Sequence, residues 1–392
     1  MKIGIDITML VYAGSGVANY IYNFVKTLLK IDRKNEYRLF YSSLRRPKNF
    51  YYLEELQKLG GKVYAYRFPP TLLQIWWRKF SIIPVEWFIG KVDVFFSSDF
   101  LRPPLLKGTK EITTIHDLTW KIFPEYHEER IIKAHEKKLE KTIRGNDTII
   151  VDSQSTKNDL LKFYPMIARS KIHVIYPGIG EEFKPIINKV KIEKVLQKYN
   201  VLDTIHYSLT PNPYLLYVGA IEPRKNLVLA IEVFHQLINS KPYSLNPNPL
   251  YFIIAGRAGW RKEEVFQRVK DLHLEDKVKF IGFVEDEDLP YLYNAASLTV
   301  YLSSYEGFGL PPLESLACGT PVIAGDNSSL KETVDKQFLV DITDKSKVLE
   351  KMKYLLENKV DVKSEEIRKR FNWNEVAKKF LEIISKLKVK NE

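Results

Sequence analysis

Short apolar runs recur along the chain, and each leads through a glycine or polar turn into a segment with helical spacing of apolar positions. The pattern predicts strands over 2–7, 37–41, 62–66, 92–96, 111–115, 147–151 and 171–175. A second series follows over 214–219, 251–256, 278–284, 299–302 and 322–324. Between the first strand and the helix that starts near Val17 stands Gly14-Ser15-Gly16, a tight turn or an anion loop. Strands alternating with helices predict an α/β chain with parallel sheets, in two domains of the same architecture. The first covers 1–180 and the second 214–373. Residues 181–213, rich in Pro, Asn and Lys, read as a linker and lead-in.

Composition narrows the class. The length of 392 residues suits two domains, and 45% apolar residues suffice for two cores. One cysteine excludes a disulfide framework and a cysteine-rich zinc site. Asp6 breaks the first apolar run, so it reads as a strand and not a signal peptide. The aromatic stretch 72–96 is interrupted by Arg78, Lys79, Glu86 and Lys91, which excludes a membrane span. Within it, 72–80 reads as a core helix whose Arg and Lys reach to solvent, or as an amphipathic patch on a membrane. A cytoplasmic protein is expected. The net charge of +12 is uneven: residues 1–185 hold 30 Lys and Arg against 20 Asp and Glu. The first domain is therefore expected to meet an anionic membrane surface or a phosphate-linked acceptor. No nucleic-acid-binding motif is present to make nucleic acid the partner.

Candidate chemistry concentrates in 303–324. Glu306 and Glu314 stand eight apart, a spacing that in most charged chains joins two solvated residues. Here Gly307-Phe308-Gly309 lies between them, and Pro311 and Pro312 suit a first helical turn. The amides of Phe308, Gly309 and Leu310 would face outward at the positive end of that helix, an anion site. The segment thus offers carboxylates for hydroxyl groups and amides for a phosphate, the equipment for a sugar nucleotide. Arg224 and Lys225 follow the strand ending at Gly219; such a pair binds a diphosphate or is surface charge. His116 ends the strand over 111–115, where open α/β sheets bind ligands. Asp286-Glu287-Asp288 has D-x-D form but precedes a helix whose first turn prefers acids, so it is read as an acidic helix start and not as a metal site.

Three segments, T-I-H-D-L at 114–118, E-P-R-K-N at 222–226 and E-x7-E from Glu306 to Glu314, resemble glycosyltransferase family 4, in particular its mannosyltransferase-like branch. The resemblance covers nearly the whole chain. It implies a GT-B fold, two facing Rossmann-like domains with the donor in an interdomain cleft, and a terminal helix, 374–392, that returns to the first domain. It implies a retaining hexosyltransferase that needs no metal and no cofactor beyond its substrate. The branch implies GDP-mannose as donor, with a UDP-sugar the alternative, and a glycan or lipid-linked acceptor in polysaccharide assembly at the cytoplasmic face of a membrane.

By the same resemblance His116 lies against the transferred sugar, and Gly14 and Gly16 face the donor phosphate. Arg224 and Lys225 meet the pyrophosphate. Backbone near Phe283 and Val284 holds the base, and Gly219 and Arg257 complete the donor-binding set. Glu306 orients the sugar and Glu314 binds the ribose. One departure stands out: Ala220 occupies a position where many relatives carry arginine, so Arg224 carries more of the phosphate charge. A dinucleotide-dependent oxidoreductase would need a full glycine fingerprint, which neither half has. A non-catalytic sugar-nucleotide binder would lose some of His116, Arg224, Lys225, Glu306 and Glu314, and all five are present.

Overall fold

The computed structural model describes residues 1–12, 14–44, 50–80, 82–98, 102–201, 214–243, 249–259 and 261–389, without the side chains of 70, 71, 74, 78, 79, 388 and 389. The chain divides into two compact units, Met1–Gly178 with Asn372–Glu392, and Ile179–Phe371.

The first unit holds a parallel sheet of seven strands among the described residues: β1 (Lys2–Asp6), β2 (Glu36–Ser42), β3 (Lys62–Tyr66), β4 (Val94–Ser97), β5 (Lys110–Ile115), β6 (Thr148–Val151) and β7 (Ile172–Val174). Their spatial order is β3-β2-β1-β4-β5-β6-β7. Order reverses between β1 and β4, the place where such sheets open a crevice beyond their carboxyl ends. Helix Gly16–Ile31 follows β1, with the Ser15 hydroxyl accepting from the Ala18 amide at 3.2 Å. It buries Tyr20, Ile21, Phe24, Val25, Leu28 and Leu29. The terminal helix Trp373–Val389 belongs to this unit. Its Phe380 sets an edge against Phe24 at 4.9 Å and against Phe96 at 5.3 Å, and Trp373 meets Tyr20 at 5.6 Å. Strands β5 and β6 pair with Ile115 opposite Val151, so the residues that follow them, His116 and Asp152, emerge side by side.

The second unit repeats the plan with β8 (Tyr214–Val218), β9 (Tyr251–Ala255), β10 (Val278–Gly282), β11 (Leu298–Tyr301), β12 (Val322–Gly325) and β13 (Leu339–Val340), ordered β10-β9-β8-β11-β12-β13. Strands β8, β9, β11 and β12 are buried along their whole length, as expected where helices cover both faces. Here the order reverses between β8 and β11. Gly256 leaves β9 so close to the chain leaving β8 that a Cβ would lie 1.8 Å from the Gly219 carbonyl, and only glycine fits.

Two expectations change. The stretch 181–213 is no bare lead-in: its described part carries helix Lys189–Lys198 and belongs to the second unit. Lys198 and Tyr199 both bond the Asp288 carboxylate, at 2.6 and 2.8 Å, and the Asn294 amide donates to the Lys184 carbonyl at 3.0 Å. Asp288 stands directly before helix Leu289–Ala295, an acid at the helix start as expected, with its carboxylate turned to Lys198 and Tyr199. The segment over 72–80 is not one α-helix but a turn at Pro70–Leu73 running into a π-helix, Gln74–Phe80. Its core role holds for Leu73 and Trp77, which are buried, and the Trp77 indole donates to the Ile83 carbonyl at 2.9 Å. Its outer side is apolar too, with Ile75 and Phe80 exposed, and so are Ile82 and Trp87 further along the chain. The Arg78 and Lys79 side chains lie outside the described residues. No helix among the described residues is long and apolar enough to cross a membrane.

Candidate active site

The loops that leave β8 and β11 converge where the second sheet reverses order. Pro223–Lys225 is a single 3-10 turn, and Asn226 ends it in the left-handed conformation that Asn tolerates. This turn delivers Arg224 and Lys225; the loop after β11 delivers Glu306. The three side chains meet. Lys225 Nζ lies 2.6 Å from Glu306 Oε1, and Arg224 Nη1 lies 3.1 Å from Oε2. Lys225 also donates to the Tyr301 hydroxyl at 2.9 Å, and Arg224 Nε donates to Glu222 at 3.0 Å. The Ser304 amide donates to the Arg224 carbonyl at 2.8 Å and ties the two loops together.

Burial would push the Glu306 carboxyl up, but Lys225 and Arg224 overrule it and hold it down to about 2. Burial pulls the Lys225 ammonium below the usual lysine value even though Glu306 opposes this. Glu306 is thus a carboxylate at neutral pH, and its charge is shared between two cations. The sequence reading gave Glu306 to the sugar and the cations to the diphosphate; the structure bonds them to one another. The cluster is one preorganised unit, with Arg224 its more exposed member.

After Glu306 the chain turns through Gly307, Phe308 and Gly309 into helix Leu310–Ala317. Gly309 has a φ of 89°, and a Cβ there would lie 2.7 Å from the Leu330 side chain, so glycine is needed for both reasons. Pro311 and Pro312 lack N–H groups, so the last backbone amide before the second turn of the helix start is that of Leu310. The Ser329 hydroxyl spans the Glu306 and Phe308 carbonyls at 3.0 and 2.9 Å, and the Glu306 amide donates to Ser328 Oγ at 2.9 Å. These serines went unassigned from sequence. The turn-forming run Gly325-Asp326-Asn327-Ser328-Ser329 is the signal that marks them.

Glu314, one helical turn on, is half-buried and accepts from the Tyr293 hydroxyl at 3.0 Å. Burial pushes its carboxyl up to about 8, with Asp286 and Glu182 adding to the rise and Tyr293 opposing it. Arg257 and Phe283 come together at the ends of β9 and β10, the guanidinium 4.4 Å from the ring centroid, beside buried Val284. Gly219, with φ of 149°, follows β8, and the Ala220 carbonyl accepts from the Tyr217 hydroxyl at 2.8 Å.

The remaining predicted residues belong to the first unit. Gly14 has a φ of 74°, and Gly16 opens helix Gly16–Ile31 with free space where a Cβ would stand. His116 leaves the carboxyl end of β5. Its Nδ1 lies 2.6 Å from Asp152 Oδ2 and its Nε2 3.1 Å from the Ser98 carbonyl. Asp152 is the residue that follows β6 and directly precedes the helix cap. Ser153 alone does the capping, accepting from the Thr156 amide at 3.0 Å.

Two doubly wound parallel sheets, the second ending in a buried acid–cation cluster beside a helix amino terminus, define this protein as a sugar-transferring enzyme of the GT-B fold. Residues 203–380 match the family described as glycosyl transferases group 1, and residues 14–183 match glycosyltransferase family 4. The chain belongs to glycosyltransferase family 4. It is 29% identical over 346 residues to O-antigen chain mannosyltransferase B of Escherichia coli, covering 87% of this chain and 86% of the relative. Among solved structures, sucrose-phosphate synthase from Thermosynechococcus elongatus matches with a TM-score of 0.72 at 19% identity over 100% of both chains. HepE from Anabaena, solved with UDP and glucose, matches with a TM-score of 0.68 at 16% identity over 98% of this chain and 100% of its own.

Proposed function

We propose that the enzyme transfers mannose from GDP-mannose to a glycan or lipid-linked acceptor, with retention of anomeric configuration and without a metal ion. The observation that carries this reading is the Arg224–Lys225–Glu306 cluster beside the start of helix Leu310–Ala317. Mannose is favoured by likeness to the Escherichia coli O-antigen mannosyltransferase, which aligns along most of both chains.

Breaking the sugar–phosphate bond puts negative charge on the departing diphosphate and positive charge on the sugar ring. Arg224 and the amides leading to Leu310 stabilise the first, as preorganised dipoles and charge do. The Glu306 carboxylate, ionised at all working pH values, faces the second and keeps Arg224 in place. Lys225 is the buried counter-charge that keeps Glu306 ionised; it acts on the donor through Glu306 and Arg224. Glu314 takes the ribose hydroxyls.

The test is a donor screen on the purified protein with GDP-, UDP- and ADP-sugars, each with and without a chelator. Turnover of GDP-mannose that survives chelation supports the reading. Turnover confined to a UDP-sugar would move the donor assignment, and activity that returns only with added manganese would overturn the metal-independent mechanism.

A further inference from the structure

The first sheet has a second working end. Where β5 and β6 begin, away from His116 and Asp152, a cavity of about 760 Å³ opens between the residues around 102–111 and those around 144–148. That volume falls in the range of small-molecule sites. Six cations line it: Arg102, Lys107, Lys110, Lys141, Arg144 and Lys171. Its two carboxylates are already committed. Arg102 forks onto Asp147 at 2.8 and 3.1 Å and reaches Glu111 at 2.9 Å. Those bonds hold both carboxylates on Arg102, and the five other cations leave the rim cationic.

The rim groups differ in how they are held. Lys141 and Lys171 donate to the carbonyls of Trp77 and Asn146, at 2.7 and 2.8 Å. Lys107, Lys110 and Arg144 are exposed, and their side chains form no ion pair or hydrogen bond within the described residues. The crowding is felt at Lys141, whose ammonium is pulled below the ordinary lysine value by burial first and then by Lys137 and Arg102. Like charges gathered round a concave space repel one another, and an anion placed among them turns that repulsion into binding. Gly108, at a φ of 99° with open space where a Cβ would project, turns the loop at the mouth without filling it.

We propose that this cavity binds a phosphate-bearing ligand, a diphosphate group above all, at a site distinct from the Glu306 cluster in the other unit. The donors suit such a group in kind. Arg144 can fork onto two phosphate oxygens, while Lys107 and Lys110 act as mobile point charges. A single small anion would leave most of the rim unpaired; a diphosphate reaches several cations at once. The ligand would sit at the amino ends of the two strands whose carboxyl ends carry His116 and Asp152.

Titration calorimetry with sodium pyrophosphate at low salt reads the site. The reading of Arg224 as a diphosphate ligand is independent, so the intact protein should show two classes of pyrophosphate site. Lys107→Glu combined with Arg144→Glu should weaken one class by roughly tenfold or more, since two attractions become repulsions. Arg224→Ala should weaken the other. If the double reversal changes neither class, the cavity proposal fails while the Arg224 reading stands; if only the Arg224-dependent class is missing, the reverse holds. A second arm uses vesicles of neutral phospholipid with and without phosphatidic acid. Loss of phosphatidic-acid binding in the double reversal, with no pyrophosphate binding to the intact protein, would keep the site and identify its phosphate as a lipid headgroup. Equal behaviour of intact and reversed proteins in both arms overturns the site. Both reversed residues are exposed; Lys107→Gln with Arg144→Gln serves as the milder pair should the reversals lower the yield of folded protein.

Discussion

His116 Nδ1 and Asp152 Oδ2 are 2.6 Å apart at the neighbouring carboxyl ends of β5 and β6, while His116 Nε2 faces the Ser98 carbonyl at 3.1 Å. Both ring nitrogens face oxygen atoms, and a ring with hydrogen on both satisfies the two contacts. Asp152 shifts the ring towards that charged form. Burial alone would lower its pKa, but Asp152 overrides burial and raises it, with Asp117 adding to the rise and Lys138 opposing it. A sugar hydroxyl that needs a donor from His116 has to take the Nε2 hydrogen from the Ser98 carbonyl.

The stability consequence has a definite sign. A histidine with a raised folded pKa stabilises the protein below its unfolded value of about 6.5 and loses that contribution as pH rises through the folded value. Asp152→Asn removes the charge partner and should cost roughly 2 kcal/mol near pH 6, less as pH rises. Thermal midpoints of both proteins from pH 6 to 9 measure it. A gap that stays constant with pH would mean that His116 is neutral in the folded protein.

Glu306 titrates the other way. Its folded pKa of about 2 lies below the ordinary carboxylate value, so its stabilisation is present above about 4.5 and is lost as pH falls towards 2. Glu306→Gln should lack this acid-limb loss. At neutral pH it should be destabilised by about 3–5 kcal/mol, because buried Lys225 is left without its counter-charge. Lys225→Met should cost less, because Arg224 still pairs with Glu306 at 3.1 Å. Lys225→Met with Glu306→Gln should cost less than the two single changes added together, since the buried ammonium is gone and Arg224 keeps Glu222 at 3.0 Å. Urea denaturation of the four proteins completes the cycle, and additive costs would mean that the pair is not coupled.

These two pairs mark where the sequence stops being legible. The strands were readable because parallel sheets covered on both faces need continuous apolar runs, and the chain supplies them at 214–218 and 251–255. Glycines such as Gly219 and Gly309 were readable as backbone requirements. The partners of the charged side chains were not. Lys225 and Glu306 are 81 residues apart and His116 and Asp152 are 36 apart. Each pairing depends on which strands are neighbours and in what register, and no local pattern encodes that. The π-helix at Gln74–Phe80 was hidden for a related reason: its apolar residues face both inward and outward, so their spacing matches no single buried stripe.

Glu314 offers a contrast with Glu306 on the same segment. Its carboxyl is pushed up to about 8, so the folded state holds a proton that the unfolded chain releases near 4.5. Stability attributable to this group falls as pH rises between those values. Glu314→Gln should therefore match the parent protein near pH 5 and melt above it near pH 9. If the variant melts below the parent at pH 9, the carboxylate has a stabilising partner beyond Tyr293 and the sign is reversed.

The final prediction concerns Arg224, for which the structure adds a reason to the one drawn from Ala220. Arg224 is aligned from two sides, by Glu222 at 3.0 Å and Glu306 at 3.1 Å, so its guanidinium is fixed before any donor arrives. Charge on the diphosphate grows as the sugar bond breaks, and a fixed cation gains more from that growth than from the ground state. Arg224→Ala should lower turnover at saturating donor by a factor of roughly 10²–10³. Arg224→Lys should restore only part of it, because an ammonium cannot hold both carboxylates and fork onto the phosphate. Ala220→Arg, placed on the neighbouring loop whose carbonyl is already fixed by Tyr217, should recover part of the loss in the Arg224→Ala background. In the otherwise intact enzyme the same change should raise turnover little, since the diphosphate already has its cation. Single-turnover rates for the parent and the four variants, measured with the donor that the screen identifies, separate these outcomes. Near-normal turnover in Arg224→Ala would place the leaving diphosphate away from this cluster, and the mechanism built on it would fall.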